Sequence, residues 1–335
     1  MKNTIEKKLL FTERNLTLFH YSSTNNKIYE IPILLVPPLM ISNSIFDLTE
    51  NHSLAKTLAE NGFRVYLIDF GTPDQNDRNL GIDKYVLDLL YRAVFMTKKH
   101  AQSKKVSLYG FCLGGTFSLA YASTSIEIKD DVENIVSIAS PVDFNQLKFY
   151  KNLIHPFKSQ INFFVNQKGY LSKSLISLFF NISNPVNIVK RYYKTLININ
   201  NKPMLNRYKA LSKFYKSFTN LPAKAFTQMQ EVVEKNSLMN GDLNFLNVNF
   251  DFTNFKCNLL TITGTKDTFI PSKSTTAIYK CITSKDTKHI EVPLGHLTIL
   301  GSLKAKDSTW KESIEWLKER SGVLISPETK EKVTV

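Results

Sequence analysis

The chain predicts an α/β fold: a mostly parallel, doubly wound sheet with an inserted, largely helical cap. Three observations carry that expectation. Short apolar runs recur with helical segments between them. The runs are continuous rather than alternating, as in a parallel sheet covered on both faces. The alternation breaks at about residue 150 and resumes at about 251. With 335 residues and 43% hydrophobic content the chain can bury a large core.

In chain order, residues 31–36 read as the first core strand and 53–61 as a helix ended by Gly62. Strand 65–68, helix 82–100, strand 106–109, helix 113–123 and strand 135–139 continue the alternation. After the break come strand 259–263, helix 272–283, strand 289–292 and helix 307–319. The interval 151–250 is rich in Phe, Asn, Lys and Ser, with helices expected around 170–180, 185–198 and 222–235. The resulting division is an N-terminal segment at 1–29, a core at 30–150 and 251–322, a cap at 151–250 and a tail at 323–335. The first and last of these carry little signal.

Three widely spaced cysteines form no CxxC pair, which fits a reducing cytoplasm rather than a disulfide framework. The N-terminus lacks the apolar region of a signal peptide. No stretch reaches the roughly 18 apolar residues of a membrane span, so a cytoplasmic protein with no membrane span is expected. The net charge of +14 is uneven: residues 151–250 hold 14 basic and 3 acidic side chains, and 151–230 hold no acid. No nucleic-acid reader motif accompanies this excess, so nucleic acid is not expected as a partner. A polyanionic cofactor, an acidic partner or a charged interface would be served equally well, and a genome biased toward Lys, Asn and Ile codons would also account for it.

Gly110-Phe111-Cys112-Leu113-Gly114-Gly115 has the spacing of a nucleophile elbow, with cysteine in the nucleophile's place. An apolar strand leads in and a helix follows, and the glycines permit a tight turn that presents the sulfur. A thiol with a reference pKa of ~8.5 is mostly protonated at neutral pH, so Cys112 needs a base. In a fold of this kind the acid should follow the penultimate strand and the histidine the last. Asp267 follows strand 259–263 and His296 follows strand 289–292. Both lie where ligands gather, at the C-terminal edge of an open parallel sheet. Cys112, Asp267 and His296 are therefore the expected catalytic set. Cys257 and Cys281 are expected to be structural, and the other histidines non-catalytic. An oxyanion hole needs backbone donors. Leu113 should give one, and Leu39 or Met40 the other, since Pro37 and Pro38 have no N–H. No His/Asp/Glu cluster has metal-ligand spacing.

With these residues located, the chain resembles the polyhydroxyalkanoate synthases of the α/β-hydrolase superfamily. The resemblance rests on Leu35-Val36-Pro37-Pro38-Leu39, on Phe46-Asp47-Leu48, and on the run from Gly62 through Asp69-Phe70-Gly71-Thr72-Pro73-Asp74. It continues through Tyr109–Gly115, Ser140-Pro141-Val142-Asp143-Phe144 and Gly295-His296. Phe70 stands where the family usually shows tryptophan, and a tryptophan-containing stretch of the cap is replaced near Phe214-Tyr215-Lys216-Ser217.

The resemblance implies polymerisation of short-chain (R)-3-hydroxyacyl-coenzyme A, such as the 3-hydroxybutyryl thioester. The acyl group would pass to Cys112, with His296 as base, and coenzyme A would be released. Asp267 would either orient His296 or help activate the 3-hydroxyl. The coenzyme A thioester would be substrate, with no separate cofactor. The short N-terminal region resembles the two-subunit synthases, which implies a second, non-catalytic subunit, a homodimer or hetero-oligomer, and work at the surface of polyester granules. Two other readings stay open: an intracellular depolymerase or acyl-CoA thioesterase using the same three side chains, and a granule-associated protein without turnover.

Overall fold

The computed structural model describes residues 5–23, 25–147, 155–183 and 201–326. Its centre is an eight-stranded sheet of β1 (Lys7–Glu13), β2 (Leu16–Tyr21), β3 (Ile33–Val36), β4 (Val65–Asp69), β5 (Val106–Phe111), β6 (Val132–Ile138), β7 (Asn258–Gly264) and β8 (Thr287–Val292). The strand order is β1-β2-β4-β3-β5-β6-β7-β8. β2 runs antiparallel to β1 and β4, and every other neighbouring pair is parallel. All six strands expected from the sequence are present, within a few residues of their expected ends.

The continuous apolar runs have the expected cause. Alternate residues of each inner strand face opposite layers, and both layers are covered. Leu34, Val36 and Leu108 pack on one side with Val86, Leu90, Val94 and Leu119. Ile33, Leu35, Tyr109 and Phe111 pack on the other with Leu54, Leu58, Trp310, Ile314 and Leu317. No helix among the described residues is long and apolar enough to cross a membrane.

Seven of the helices matter here: α1 (Leu54–Glu60), α2 (Tyr91–Ala101), α3 (Leu113–Tyr121), α4 (Lys158–Lys168), α5 (Lys173–Ser183), α6 (Lys202–Lys216) and α7 (Ala223–Lys235). Ser53 caps α1 by accepting the Lys56 amide at 3.1 Å, and Gly62 closes it with a φ of 90°. The helix expected over 82–100 forms, but its middle, Tyr85–Leu90, is a wider π-helical turn. The helix expected over 272–283 is shorter: Ser272–Thr276 tightens into a 3-10 turn at Ala277–Lys280, which leaves Cys281 beyond its end. The last expected helix begins as a π turn, Lys306–Trp310, and runs on through Lys311–Lys318.

Residues 1–29 contribute more than their sequence suggested. β1 and β2 form an antiparallel edge, with Leu16, Leu18 and Tyr21 buried. Their alternation is short and interrupted by Lys and Thr, so it gives only a weak period-2 signal. In the interval 151–250, α5 and α7 match expected helices, whereas α4 and α6 were not foreseen. The helix expected at 185–198 lies outside the described residues.

α7 is fastened to the core at both ends. Near its start, Gln228 accepts the Ile82 amide at 2.6 Å and Lys224 pairs with buried Asp83 at 3.0 Å. At its end, Asn236 adopts a left-handed conformation. Its side chain accepts the Phe144 amide at 2.8 Å and donates to Asp143 at 3.0 Å. The helix is thus a fixed wall over the C-terminal edge of the sheet.

Candidate active site

Strand register brings the distant segments together. Val36 at the end of β3 pairs with Gly110, and Phe111 at the end of β5 pairs with Ile138. Gly264 at the end of β7 pairs with Val292 at the end of β8. The loops that follow these residues therefore leave the sheet along one edge. They carry Leu39 and Met40, Cys112, Asp267 and His296.

Cys112 occupies the turn between β5 and α3, with φ 53° and ψ −126°. A side-chain-bearing residue seldom adopts such a backbone, and it persists only where its surroundings fix it. Here the Cys112 amide donates to the Ile138 carbonyl at 2.9 Å, while its carbonyl accepts the amides of Gly115 and Thr116 at 3.0 and 3.2 Å. The glycines serve close packing. A Cβ on Gly110 would meet the Gly115 backbone, one on Gly114 the carbonyls of Val36 and Pro37, and one on Gly115 the Ser140 side chain.

His296 stands beside the elbow. Its Nδ1 donates to Asp267 Oδ2 at 2.8 Å. The other Asp267 oxygen accepts the amides of Phe269 and Ile270 at 2.9 and 2.8 Å, so the carboxylate is fixed by its own loop. The Asp267 side chain is wholly out of solvent. Phe111 and Phe269 flank the imidazole, each with its centroid 5.1 Å away. Thr298 pins the loop by accepting the Gly295 amide at 2.8 Å and donating back to its carbonyl at 3.0 Å. Burial alone would push the His296 pKa down. The charge of Asp267, the electrostatic contact with Cys112 and hydrogen bonds to both outweigh it and raise the ring to about 10.

Cys112 and His296 open onto a cleft of about 1210 Å³ counted out to its mouth. Leu39, Met40 and Leu113 line it too, so all six sequence-derived candidates belong to one locality. Met40 takes a left-handed backbone with φ 68°, and its carbonyl accepts the Thr219 amide at 2.9 Å, tying this loop to the interval 151–250. The rest of the wall is almost entirely apolar and includes Phe144, Ile176, Phe214, Phe226, Met229 and Val233. A water-poor setting of this kind strengthens the charge interactions at His296.

Two expectations about bystanders also have a structural footing. Cys257 is buried with its sulfur 3.4 Å from the Val132 carbonyl, and burial pushes its thiol up to about 12. His289 bonds to Thr261 and Thr263 at 2.7 and 3.4 Å. Sequence reasoning missed Phe269 and Thr298, which frame His296, and the cleft walls contributed by α5 to α7. Thr298 was within reach, two residues past the histidine. The walls were signalled only by a general excess of Phe.

Over 94% of its length the chain is 26% identical to a poly(3-hydroxyalkanoate) polymerase subunit of Haloferax mediterranei, and it spans 64% of that protein. It is 27% identical to the corresponding subunit of Allochromatium vinosum, covering 94% of this chain and 88% of that one. A Synechocystis subunit of the same name is 26% identical, with coverages of 94% and 84%. Among solved structures, a soluble variant of monoglyceride lipase from Saccharomyces cerevisiae superposes with a TM-score of 0.63 at 13% identity, covering 96% of this chain and 97% of that one. A lipase-like protein from Sulfolobus solfataricus gives 0.58 at 16%, with coverages of 94% and 99%. These low identities speak for the fold alone. Residues 37–302 match the family described as the alpha/beta hydrolase fold. With most of its length inside that match, and with three polymerase subunits as relatives, the chain belongs to the alpha/beta hydrolase fold family.

Proposed function

We propose that this protein is a polyhydroxyalkanoate synthase, an acyltransferase that polymerises (R)-3-hydroxyacyl-coenzyme A through a thioester on Cys112. The observation that carries the reading is His296, held between Asp267 and Cys112 on the wall of an apolar cleft. The homology to polymerase subunits supports the acyltransferase class.

The reaction runs as two transfers. His296 Nε2 takes the proton of the Cys112 thiol, and the sulfur attacks the thioester carbonyl. The contacts that stabilise the charged ring favour the state after this proton transfer. The tetrahedral oxyanion is met by the Leu113 amide and by that of Leu39 or Met40. As it collapses, the carbon–sulfur bond to coenzyme A breaks and coenzyme A leaves with the proton from His296. The 3-hydroxyl of another acyl unit then attacks the acyl-enzyme, giving its proton to His296 while an ester replaces the thioester. The exchange of one thioester for another is nearly isoenergetic, so cysteine suits the first step. Base assistance contributes roughly 10²–10⁴-fold. The bond from His296 to Asp267 supports an orienting role for the carboxylate.

Hydrolysis of the acyl-enzyme would end chain growth, so water must be kept out. The interval 151–250 acts as a cap that does this with Phe214, Phe226, Met229 and Val233. The coenzyme A thioester is substrate, no resident cofactor is needed, and a short-chain unit such as 3-hydroxybutyryl fits the reading. A second, non-catalytic subunit, assembly as a homodimer or hetero-oligomer and a cytoplasmic position at the polyester granule complete it. The relatives' names as subunits support the partner.

Purified protein given 3-hydroxybutyryl-coenzyme A tests the proposal. Free coenzyme A with insoluble polyester is the expected result. Free coenzyme A with free 3-hydroxybutyrate would make the protein a hydrolase. No release at all, with or without Cys112, would remove the enzymatic reading.

A further inference from the structure

A second cavity, of about 440 Å³ counted out to its mouth, lies behind Leu113, Phe144 and Met229. The same three side chains line the catalytic cleft, so a single apolar partition separates the two spaces. On the far side stand Val232 of α7 and, from the pair of short strands Leu243–Phe245 and Val248–Phe250, Phe245 and Phe250. Among the described residues Thr116 is the one polar side chain on the lining, and its hydroxyl donates to the Pro141 carbonyl at 2.7 Å.

The chemistry of the lining selects the occupant. Ordered water needs two to four polar partners, which this lining does not offer. The phosphates of coenzyme A would be stripped of solvent without a counter-charge, and each ester carbonyl of a polymer would lose its hydrogen bonds. A hydrocarbon chain loses nothing by entering. Leu113 directly follows Cys112, so an acyl group on the sulfur begins next to the partition. Met229 is the most adaptable of the three separating side chains, with an unbranched and polarizable stem.

We infer that the second cavity receives the alkyl end of an acyl group carried on Cys112, and that Met229 sets how long that alkyl group can be. This rests on the acyl-transfer reading above. The catalytic cleft holds the part common to every 3-hydroxyacyl unit, and the second cavity takes the further methylenes of units longer than butyryl.

The test compares kcat/KM for coenzyme A release from the 3-hydroxybutyryl and 3-hydroxyoctanoyl thioesters in the parent, in Met229→Ala and in Val232→Phe. Each methylene moved out of water favours binding by about fourfold. Met229→Ala should therefore raise the octanoyl-to-butyryl ratio by about tenfold or more. Val232→Phe fills only the second cavity, so it should lower that ratio similarly and keep butyryl turnover within about twofold. Met229→Ala adds no bulk and answers the question even if Val232→Phe folds poorly. Unchanged ratios alongside intact butyryl turnover would overturn the inference and leave the acyl-transfer reading standing.

A second measurement needs no turnover: the rates at which ethyl and octyl methanethiosulfonate label Cys112, read by peptide mass. A preference for octyl that Val232→Phe abolishes supports the pocket, and equal rates in parent and variant contradict it. If the parent releases coenzyme A from neither thioester, the acyl-transfer reading falls, and the labelling alone decides whether the cavity takes an alkyl chain.

Discussion

Asp267 holds His296 with one oxygen, at 2.8 Å from Nδ1, and is itself held by the amides of Phe269 and Ile270 on the other. The carboxylate therefore fixes both the tautomer and the orientation of the ring. It also supplies the largest of the effects that lift the His296 pKa against its burial to about 10. Asp267→Asn keeps the shape and removes the charge. The ring should then titrate well below about 10, because burial disfavours the cation. Histidine NMR titration of the parent, the variant and a His296→Gln reference reads this shift. Turnover should fall by about 10²–10⁴-fold. An unmoved titration would show that Asp267 does not act on the ring's charge.

Cysteine at position 112 matters for its acidity and its softness, beyond its place at the turn. Cys112→Ser should lose orders of magnitude in coenzyme A release, because an alkoxide is a poorer match to this base. Its urea midpoint should stay near the parent's, since the side chains are nearly the same size. Activity close to the parent's would contradict a thiolate mechanism.

Gly115 lies against Ser140, and a Cβ there would also sit 2.9 Å from the Ser140 Cβ and 3.0 Å from the Ser137 hydroxyl. Gly115→Ala should destabilise the fold by about 1–3 kcal/mol through overpacking. The double variant Gly115→Ala/Ser140→Gly should recover part of that loss. Urea unfolding of the set measures it. A single variant as stable as the parent would show that the elbow's surroundings yield easily.

His20 makes folding sensitive to acid. Its Nε2 is buried with no partner among the described residues, and its neighbours include Tyr66, His100, Arg64 and Lys8. Burial, followed by the positive charges of His100, Arg64 and Lys8, pushes its pKa down to about 3 from the model-peptide value of 6.5. Between those two pH values the unfolded chain binds a proton that the folded chain refuses, so stability falls as the pH drops through that window. His20→Gln should flatten the fall in melting temperature between pH 6.5 and pH 4. Parallel curves would mean that other groups control the acid response.

Much of this was legible in the residues. The continuous runs around Val106 and Leu259 read as buried strands of a covered sheet, and the Gly110–Gly115 spacing pointed to a sharp turn, which the backbone at Cys112 makes with a positive φ. Asp267 and His296 were placed by strand order alone. What stayed hidden depends on contacts between distant segments. The edge strand at Lys7–Glu13 is exposed along much of its length and so carries little hydrophobic period. α4 and α6 have their apolar residues mixed with Lys and Asn, and tertiary packing rather than a local pattern makes them helices. The π turn at Tyr85–Leu90 has no single-residue signature. The clamping of Asn236 onto Asp143 and Phe144 joins residues 92 and 93 positions apart in the chain, which no local reading could reveal.

The proposed mechanism turns on a covalent acyl group on one sulfur. The most direct measurement is intact and peptide mass spectrometry of protein quenched in acid during turnover of 3-hydroxybutyryl-coenzyme A. At least one 3-hydroxybutyryl unit is expected on the peptide bearing Cys112, removed by hydroxylamine and absent in Cys112→Ala. Coenzyme A release at the parental rate by Cys112→Ala, with no acyl group on that peptide in the parent, would contradict it.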